Sequence, residues 1–121
     1  MARIFKDQSP VVVDKAASYT VLPEDIGKVF VVTNTATLTL PAIANVFDGW
    51  NIKIFNAANV TMTITAPSGK LVAFNNAAAT SLATGGASEK IGAGFEIIYD
   101  ATLTKYLALF MTEETATITV S

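Results

Sequence analysis

Three stretches of this chain alternate threonine with an apolar residue: 35–40 (Thr-Ala-Thr-Leu-Thr-Leu), 60–65 (Val-Thr-Met-Thr-Ile-Thr) and 115–120 (Thr-Ala-Thr-Ile-Thr-Val). In a β-strand successive side chains point to opposite faces, so a period of two sorts such a stretch into two surfaces. Leu38 and Leu40, or Val60, Met62 and Ile64, can then enter a core while the threonines face outward. Threonine is β-branched and suits a half-wetted pleated surface. A helix would scatter the same residues around its circumference and bury hydroxyls with the leucines. The pattern therefore commits these segments to half-buried strands.

The rest of the chain follows the same logic. From residue 17 onward, short β-type runs are each closed by a turn signal. The runs are 18–22, 28–33, 36–40, 50–55, 60–65, 70–74, 88–91, 95–99, 105–111 and 115–120. The turn signals include Pro23-Glu24-Asp25-Ile26-Gly27, Asn34, Pro41, Asp48-Gly49 and Pro67-Ser68-Gly69. About ten short strands at this spacing predict an all-β sandwich or barrel. The polar, alanine-rich stretch 75–80 reads as a connection, and residues 41–47 as one helical turn at most. The threonine runs start at uneven intervals, which argues against a solenoid of fixed repeat. Threonine ranks also occur on ice-binding surfaces, but those need regular stacking that the uneven spacing does not promise. The expected core holds Leu38, Leu40, Ile52, Ile54, Met62, Ile64 and Ile97, with Val29, Val31, Val60, Leu107 and Leu109.

Residues 1–16 differ in character. They carry Arg3, Lys6, Asp7, Asp14 and Lys15, with Pro10 ahead of Val11-Val12-Val13. They read as an extended N-terminal arm with at most one short strand, because proline favours extended backbone before it and valine favours β. The alternative for this segment is a simple edge strand. Residues 17–121 form a single domain, long enough to bury a core without disulfides or metal.

The chain has no cysteine and no histidine. Thiolate metal sites, thiol nucleophiles, the commonest general base and a Ser-His-Asp triad are thereby excluded. The adjacent acids Glu24-Asp25 and Glu113-Glu114 point to opposite faces if extended, so neither pair is a ready acid/base couple. Gly85-Gly86 and Gly92-Ala93-Gly94 fit no phosphate-binding spacing and read as hairpin turns. No enzymatic activity, cofactor or metal is expected. The eight basic residues are dispersed in a chain of net charge −2, which gives no nucleic-acid stripe. No run approaches the ~18 apolar residues of a membrane helix, and residues 1–7 lack a signal-peptide core. Charged residues are only 15% of the chain and hydrophobic ones 51%, so part of the outer surface is expected to be covered in an assembly.

The ordered set of strands and turns resembles a module of tailed bacteriophages, found in head- and tail-fibre proteins and in small capsid decoration (cement) proteins. The stretches that carry the resemblance are Tyr19-Thr20-Val21-Leu22-Pro23-Glu24-Asp25-Ile26-Gly27-Lys28 and Ala36-Thr37-Leu38-Thr39-Leu40-Pro41. With them go Gly49-Trp50-Asn51-Ile52-Lys53-Ile54-Phe55-Asn56 and the threonine run from Val60. Ser88-Glu89-Lys90-Ile91 and Tyr99-Asp100-Ala101-Thr102 resemble the module's later strands and turn. The likeness covers about residues 17–110. Fibre modules sit in long chains with stalks; a chain running from Met1 to Ser121 with an arm is more similar to a decoration protein.

The resemblance implies an antiparallel β-sandwich of jelly-roll or β-tulip type that forms a homotrimer at three-fold positions on the outer capsid surface. It implies synthesis in the host bacterial cytoplasm and the major capsid protein as partner. Under it, the arm would make the capsid or subunit contact through Arg3, Ile4, Phe5, Lys6, Pro10, Val11, Val12 and Val13. The alternative is a receptor- or glycan-binding fibre module. An exposed aromatic beside Asn or Asp would then form the sugar platform, with Trp50, Asp48 and Asn51 as the candidates.

Overall fold

Successive strands in the first half of the chain alternate between two sheets. The structure is a computed structural model that describes residues 11–85, 91–110 and 117–121. Its strands are β1 (Val12–Lys15), β2 (Tyr19–Thr20), β3 (Val29–Val32), β4 (Ala36–Thr39), β5 (Asn51–Asn56) and β6 (Met62–Thr65). They continue with β7 (Leu71–Ala73), β8 (Asn76–Ala79), β9 (Ser81–Gly85), β10 (Gly94–Asp100), β11 (Lys105–Phe110) and β12 (Thr117–Val120). One sheet has seven strands in the order β1-β3-β5-β10-β11-β7-β8, and the other has five in the order β12-β9-β6-β4-β2. A single hydrophobic cluster draws on the inner faces of both. The fold is an all-β sandwich of short strands.

The pairing is mixed, not the antiparallel pattern expected. β1–β3, β3–β5, β2–β4, β4–β6 and β11–β7 pair parallel. The reason is the alternation itself. A chain that crosses to the other sheet after every strand returns to the first sheet pointing the same way, so β1, β3 and β5 run parallel, as do β2, β4 and β6. Antiparallel neighbours arise where the chain stays within a sheet, as in the β10–β11 and β7–β8 hairpins, or where β10 and β9 close the sheets against β5 and β6.

All three threonine runs fall in the five-stranded sheet, as β4, β6 and β12. Ala36, Leu38, Met62 and Ile64 are buried while Thr39 is exposed and Thr37, Thr63 and Thr65 are half-buried, as the alternation requires. In the seven-stranded sheet the expected core is partly reversed. Phe30 and Val32, not Val29 and Val31, fill the interior of β3; Tyr106 and Ala108, not Leu107 and Leu109, fill that of β11. These strands are apolar at both parities, so period two gives no choice between faces. The pairing decides: Phe30 sits opposite Ile54, and Tyr106 opposite Leu71, each beside an inward residue. Val60 is half-buried at the margin of the core.

Other corrections are local. The stretch 75–80 supplies all of β8, and β9 follows at once. Alanine and asparagine have poor strand propensity; the burial of Ala79 opposite Leu71 and Leu82 opposite Ile64 overrides it. Within 41–47 only Ile43–Asn45 forms a single 3₁₀ turn, and Pro23–Asp25 forms another. Residues 12–15 supply the one short strand allowed for the arm, and it takes the edge-strand alternative: β1 pairs parallel beside β3, and Val13 packs on the core. Gly92 adopts φ +93° in the turn before β10; the strand that the expected hairpin would join to β10, 88–91, lies largely outside the described residues. The expected strand at 88–91 and the acids Glu113-Glu114 lie wholly or largely outside the described residues. Among the described residues, no helix is long and apolar enough to cross a membrane.

Candidate functional site

Buried polar groups are the first place to look for chemistry. Here four sets of them are used to hold the fold together. Asp25 is 2% exposed. Its carboxylate accepts hydrogen bonds from Tyr19 Oη at 2.8 Å, Leu22 N at 2.9 Å and Lys28 Nζ at 2.6 Å. Tyr19 belongs to β2 and Lys28 directly precedes β3, so this knot ties the two sheets where the chain passes between them. Burial by itself pushes the Asp25 carboxyl up, but the bonds from Lys28, Leu22 and Tyr19 outweigh it and hold the group below its ordinary value. The bond to Asp25 pushes the Tyr19 hydroxyl up in turn, with burial adding to it.

Trp50 is fully buried; its indole Nε1 donates to the Pro23 carbonyl at 2.8 Å. Its ring meets Tyr106 edge-on, with centroids 5.9 Å apart. Tyr106 is buried as well and its Oη donates to the Pro41 carbonyl at 2.7 Å, while burial pushes its phenol strongly up. At the other end, Asn56 Nδ2 donates to Val60 O at 2.9 Å. Thr84 Oγ1 accepts from Met62 N at 2.9 Å and donates to Val60 O at 3.3 Å. Asn56 lies in one sheet and Thr84 in the other. Among the described residues, no buried side-chain nitrogen or oxygen lacks a hydrogen-bond partner. A buried polar group already bound to backbone carbonyls and amides is a strut, not a poised acid or base.

This geometry overturns the proposed sugar platform. A stacking platform needs an exposed aromatic face, and Trp50 has none. Asp48 Oδ1 accepts from Ala101 N at 2.9 Å, steadying the β10–β11 turn, and Asn51 Nδ2 donates to Gly49 O at 3.0 Å. Asp100 caps the same turn through Thr102 N at 2.8 Å. Glu96 instead pairs with Lys53 across the outer face of the larger sheet, Nζ to Oε2 at 3.7 Å. Asp48 and Asp100 thus serve one turn while Glu96 is paired elsewhere, and the described residues hold no group of three or more metal-ligating side chains.

Of the residues expected to contact a capsid or a neighbouring subunit, Arg3, Ile4, Phe5, Lys6 and Pro10 lie outside the described residues. Val11 and Val12 are 56% and 60% exposed at the edge of the seven-stranded sheet, and Val13 turns inward.

Among the described residues, the two sheets present outer faces of different composition. On the five-stranded sheet, the register aligns Thr20, Thr39, Thr65 and Ser81 in one rank. Thr37, Thr63, Ala83 and Thr119 form a second rank beside it. The uneven spacing in sequence is absorbed by unequal connections, so ranks form after all. Neighbouring strands turn by about 20–25° each, however. Across β4, β6, β9 and β12 that accumulates to roughly 60–75°, which is not the flat repeating lattice an ice surface needs.

The outer face of the seven-stranded sheet mixes large apolar side chains with Asp14, Asn51, Lys53, Glu96, Asp100 and Lys105. Val29 and Val31 on β3, Phe55 on β5, Ile98 on β10 and Leu107 and Leu109 on β11 point away from the core, around the Lys53–Glu96 pair. Its side beyond β11 holds a groove of about 410 Å³ lined by Val72, Phe74, Leu107 and Leu109, among others. Sequence reasoning missed this face by assigning Val29, Val31, Leu107 and Leu109 to the core. The signal was present, because β3 (VFVV) and β11 (KYLALF) are apolar at both parities.

No protein-family model matches the sequence, and no curated protein matches it at a significant level.

Proposed function

We propose that the chain is a structural virion protein that decorates and stabilises the outer surface of a tailed-bacteriophage capsid as a homotrimer at three-fold positions. It is made in the host bacterial cytoplasm, and its partners are the major capsid protein and itself. The observation that supports this reading is the contrast between the two outer faces among the described residues, one ranked in hydroxyls and one rich in large apolar side chains, on a two-layer frame. Such a frame suits a part that must pack against neighbours on one side and meet solvent or a polar shell on the other. The stretches that resemble the phage module supply that frame, β2 to β6 and the β10–β11 turn. The glycan-binding alternative loses its platform with the burial of Trp50. In this role the protein acts by mass action: a ligand that binds only the assembled shell stabilises it, by about 2.7 kcal/mol at a hundred times its dissociation constant.

The test is co-sedimentation of the purified protein with empty shells assembled from a tailed-bacteriophage major capsid protein. Binding is expected, with a raised melting temperature of the shells. Deleting residues 2–10, which leaves β1 in place, is expected to abolish attachment while the chain stays folded. Protein that remains wholly in the supernatant refutes the reading, and a glycan-array signal above background would restore the fibre alternative.

A further inference from the structure

We infer that the free edge of β2 in the five-stranded sheet is a docking edge for this chain's own N-terminal segment, with residues 3–5 laid beside β2 as a further parallel strand. This holds or fails apart from the capsid reading, because a segment laid in a sheet still presents its outward side chains to a partner.

The first observation is the winding. From β1 to β6 the chain visits the two sheets in turn, so β1, β3 and β5 are parallel neighbours in one and β2, β4 and β6 in the other. Continued backwards, the winding brings the stretch before β1 into the five-stranded sheet, beside β2 and parallel to it. Val29 is the register partner of Val12, and the stretch from Thr20 to Val29 makes the crossing that follows β2. A crossing of the same length that ends at Val12 starts at Arg3. Arg3 then faces outward level with the exposed Thr20, and Ile4 turns to the core side level with the buried Val21.

The second observation is the edge. Among the described residues, β2 has β4 on one side and no strand on the other. The register is Tyr19↔Leu38 and Thr20↔Thr39, and Val21 N donates to Thr39 O at 2.8 Å. In this parallel ladder Tyr19 and Val21 bond toward β4, so the Thr20 N–H and C=O point away from it. Sheet edges are blunted by charges or proline, or they are covered; neither Tyr19 nor Thr20 is a charge or a proline.

The third is reach, with strands ~4.8 Å apart. β12 lies four strands from β2, and β9 three; in the other sheet β11 lies four strands from β1, and β10 three. Residues 111–116 join β11 to β12, so a path to the β2 edge and back runs about 38 Å against about 25 Å of extended chain. Residues 86–90 join β9 to β10 and would need about 29 Å with about 21 Å to spend. Of the three segments outside the described residues, residues 1–10 alone, tied at one end, can reach that edge.

Amide hydrogen exchange reads the outcome. In the full chain the Thr20 amide is expected to exchange at least about tenfold more slowly than in the chain lacking residues 2–10. The Val21 amide, bonded to Thr39, is expected to be protected in both. If the shortened chain does not fold, full-length Ile4→Asp replaces it. The double variant Arg3→Cys/Thr20→Cys, in a chain otherwise without cysteine, is expected to close a disulfide at the single-chain mass of 12.7 kDa. Arg3→Cys/Thr119→Cys, with its second thiol on β12 at the opposite edge, is expected to keep both thiols free. Equal Thr20 exchange in the two chains overturns the inference, and disulfide-linked multiples overturn the same-chain pairing. Shell binding that is lost on deletion, with Thr20 exchanging equally in both chains, sinks this inference and keeps the capsid reading. A protected Thr20 in a chain that never binds shells does the reverse.

Discussion

Replacing Asp25 by asparagine tests whether the crossing between the sheets is held electrostatically. The substitution keeps shape and removes one carboxylate that is 2% exposed and accepts three hydrogen bonds. The bond from Leu22 N resembles a helix cap, worth about 1 kcal/mol. The Tyr19 hydroxyl bond to a charged acceptor is worth about 1.5 kcal/mol. The Lys28 side chain is 31% exposed, so its pairing is screened and contributes about 0.5–1 kcal/mol. Leu22 N and Tyr19 Oη share one carboxylate oxygen, whose place the asparagine amide oxygen can take, so the substitution loses the Lys28 pairing and the charge assistance to the tyrosine bond, about 1.5 kcal/mol in all. For a domain of this size that lowers the melting temperature by roughly 5 °C. The sign with pH follows from the depressed folded value. The contribution is fully present above the ordinary value of 3.8 and is lost as pH falls through the lower folded value. Urea unfolding of wild type and Asp25→Asn at pH 7 and again below pH 3 is the assay. The gap is expected to be wide at pH 7 and nearly closed in acid. A gap under about 0.5 kcal/mol at pH 7, within the range of an ordinary surface change, refutes the argument. A gap that does not shrink in acid refutes the electrostatic part of it.

Tyr106→Phe leaves the buried Pro41 carbonyl without its donor, and is expected to cost about 1–2 kcal/mol in thermal or urea unfolding. A neutral result would mean that water reaches that carbonyl. Trp50 is the only tryptophan, so the fluorescence of the native protein reports its burial directly. Blue-shifted emission and weak quenching by acrylamide are expected, and strong quenching would return Trp50 to the list of exposed binding aromatics.

The all-β class was legible because threonine alternation is a physical constraint on which side of a strand meets water. It located β4, β6 and β12 and set their faces correctly at Leu38, Met62 and Ile64. The turn chemistry of Asp48-Gly49, Pro67-Ser68-Gly69 and Asp100 bounded the elements between them. Where both parities were apolar, as in β3 and β11, the same rule had no purchase, and the larger side chain at each site gave no warning of which way it faced. Trp50 was legible as an aromatic at a strand start, but its burial depended on Pro23, a distant residue that offers the indole a carbonyl. Neither β8 nor β9 could be read from alanine and asparagine, because their strand state is imposed by Leu71, Ile64 and the chain's last strand.

The sequence by itself determined that this chain forms half-buried strands, needs no disulfide and lacks histidine and cysteine chemistry. Those properties belong to residue types and to short-range alternation. Only the tertiary structure decided that strands alternate between sheets and so pair in mixed directions, that the polar side chains Asp25, Trp50 and Tyr106 become struts, and that Val29, Val31, Leu107 and Leu109 turn away from the core. Each of these depends on which strand becomes whose neighbour. That choice is made by packing between residues far apart in the chain, where no local pattern can express it.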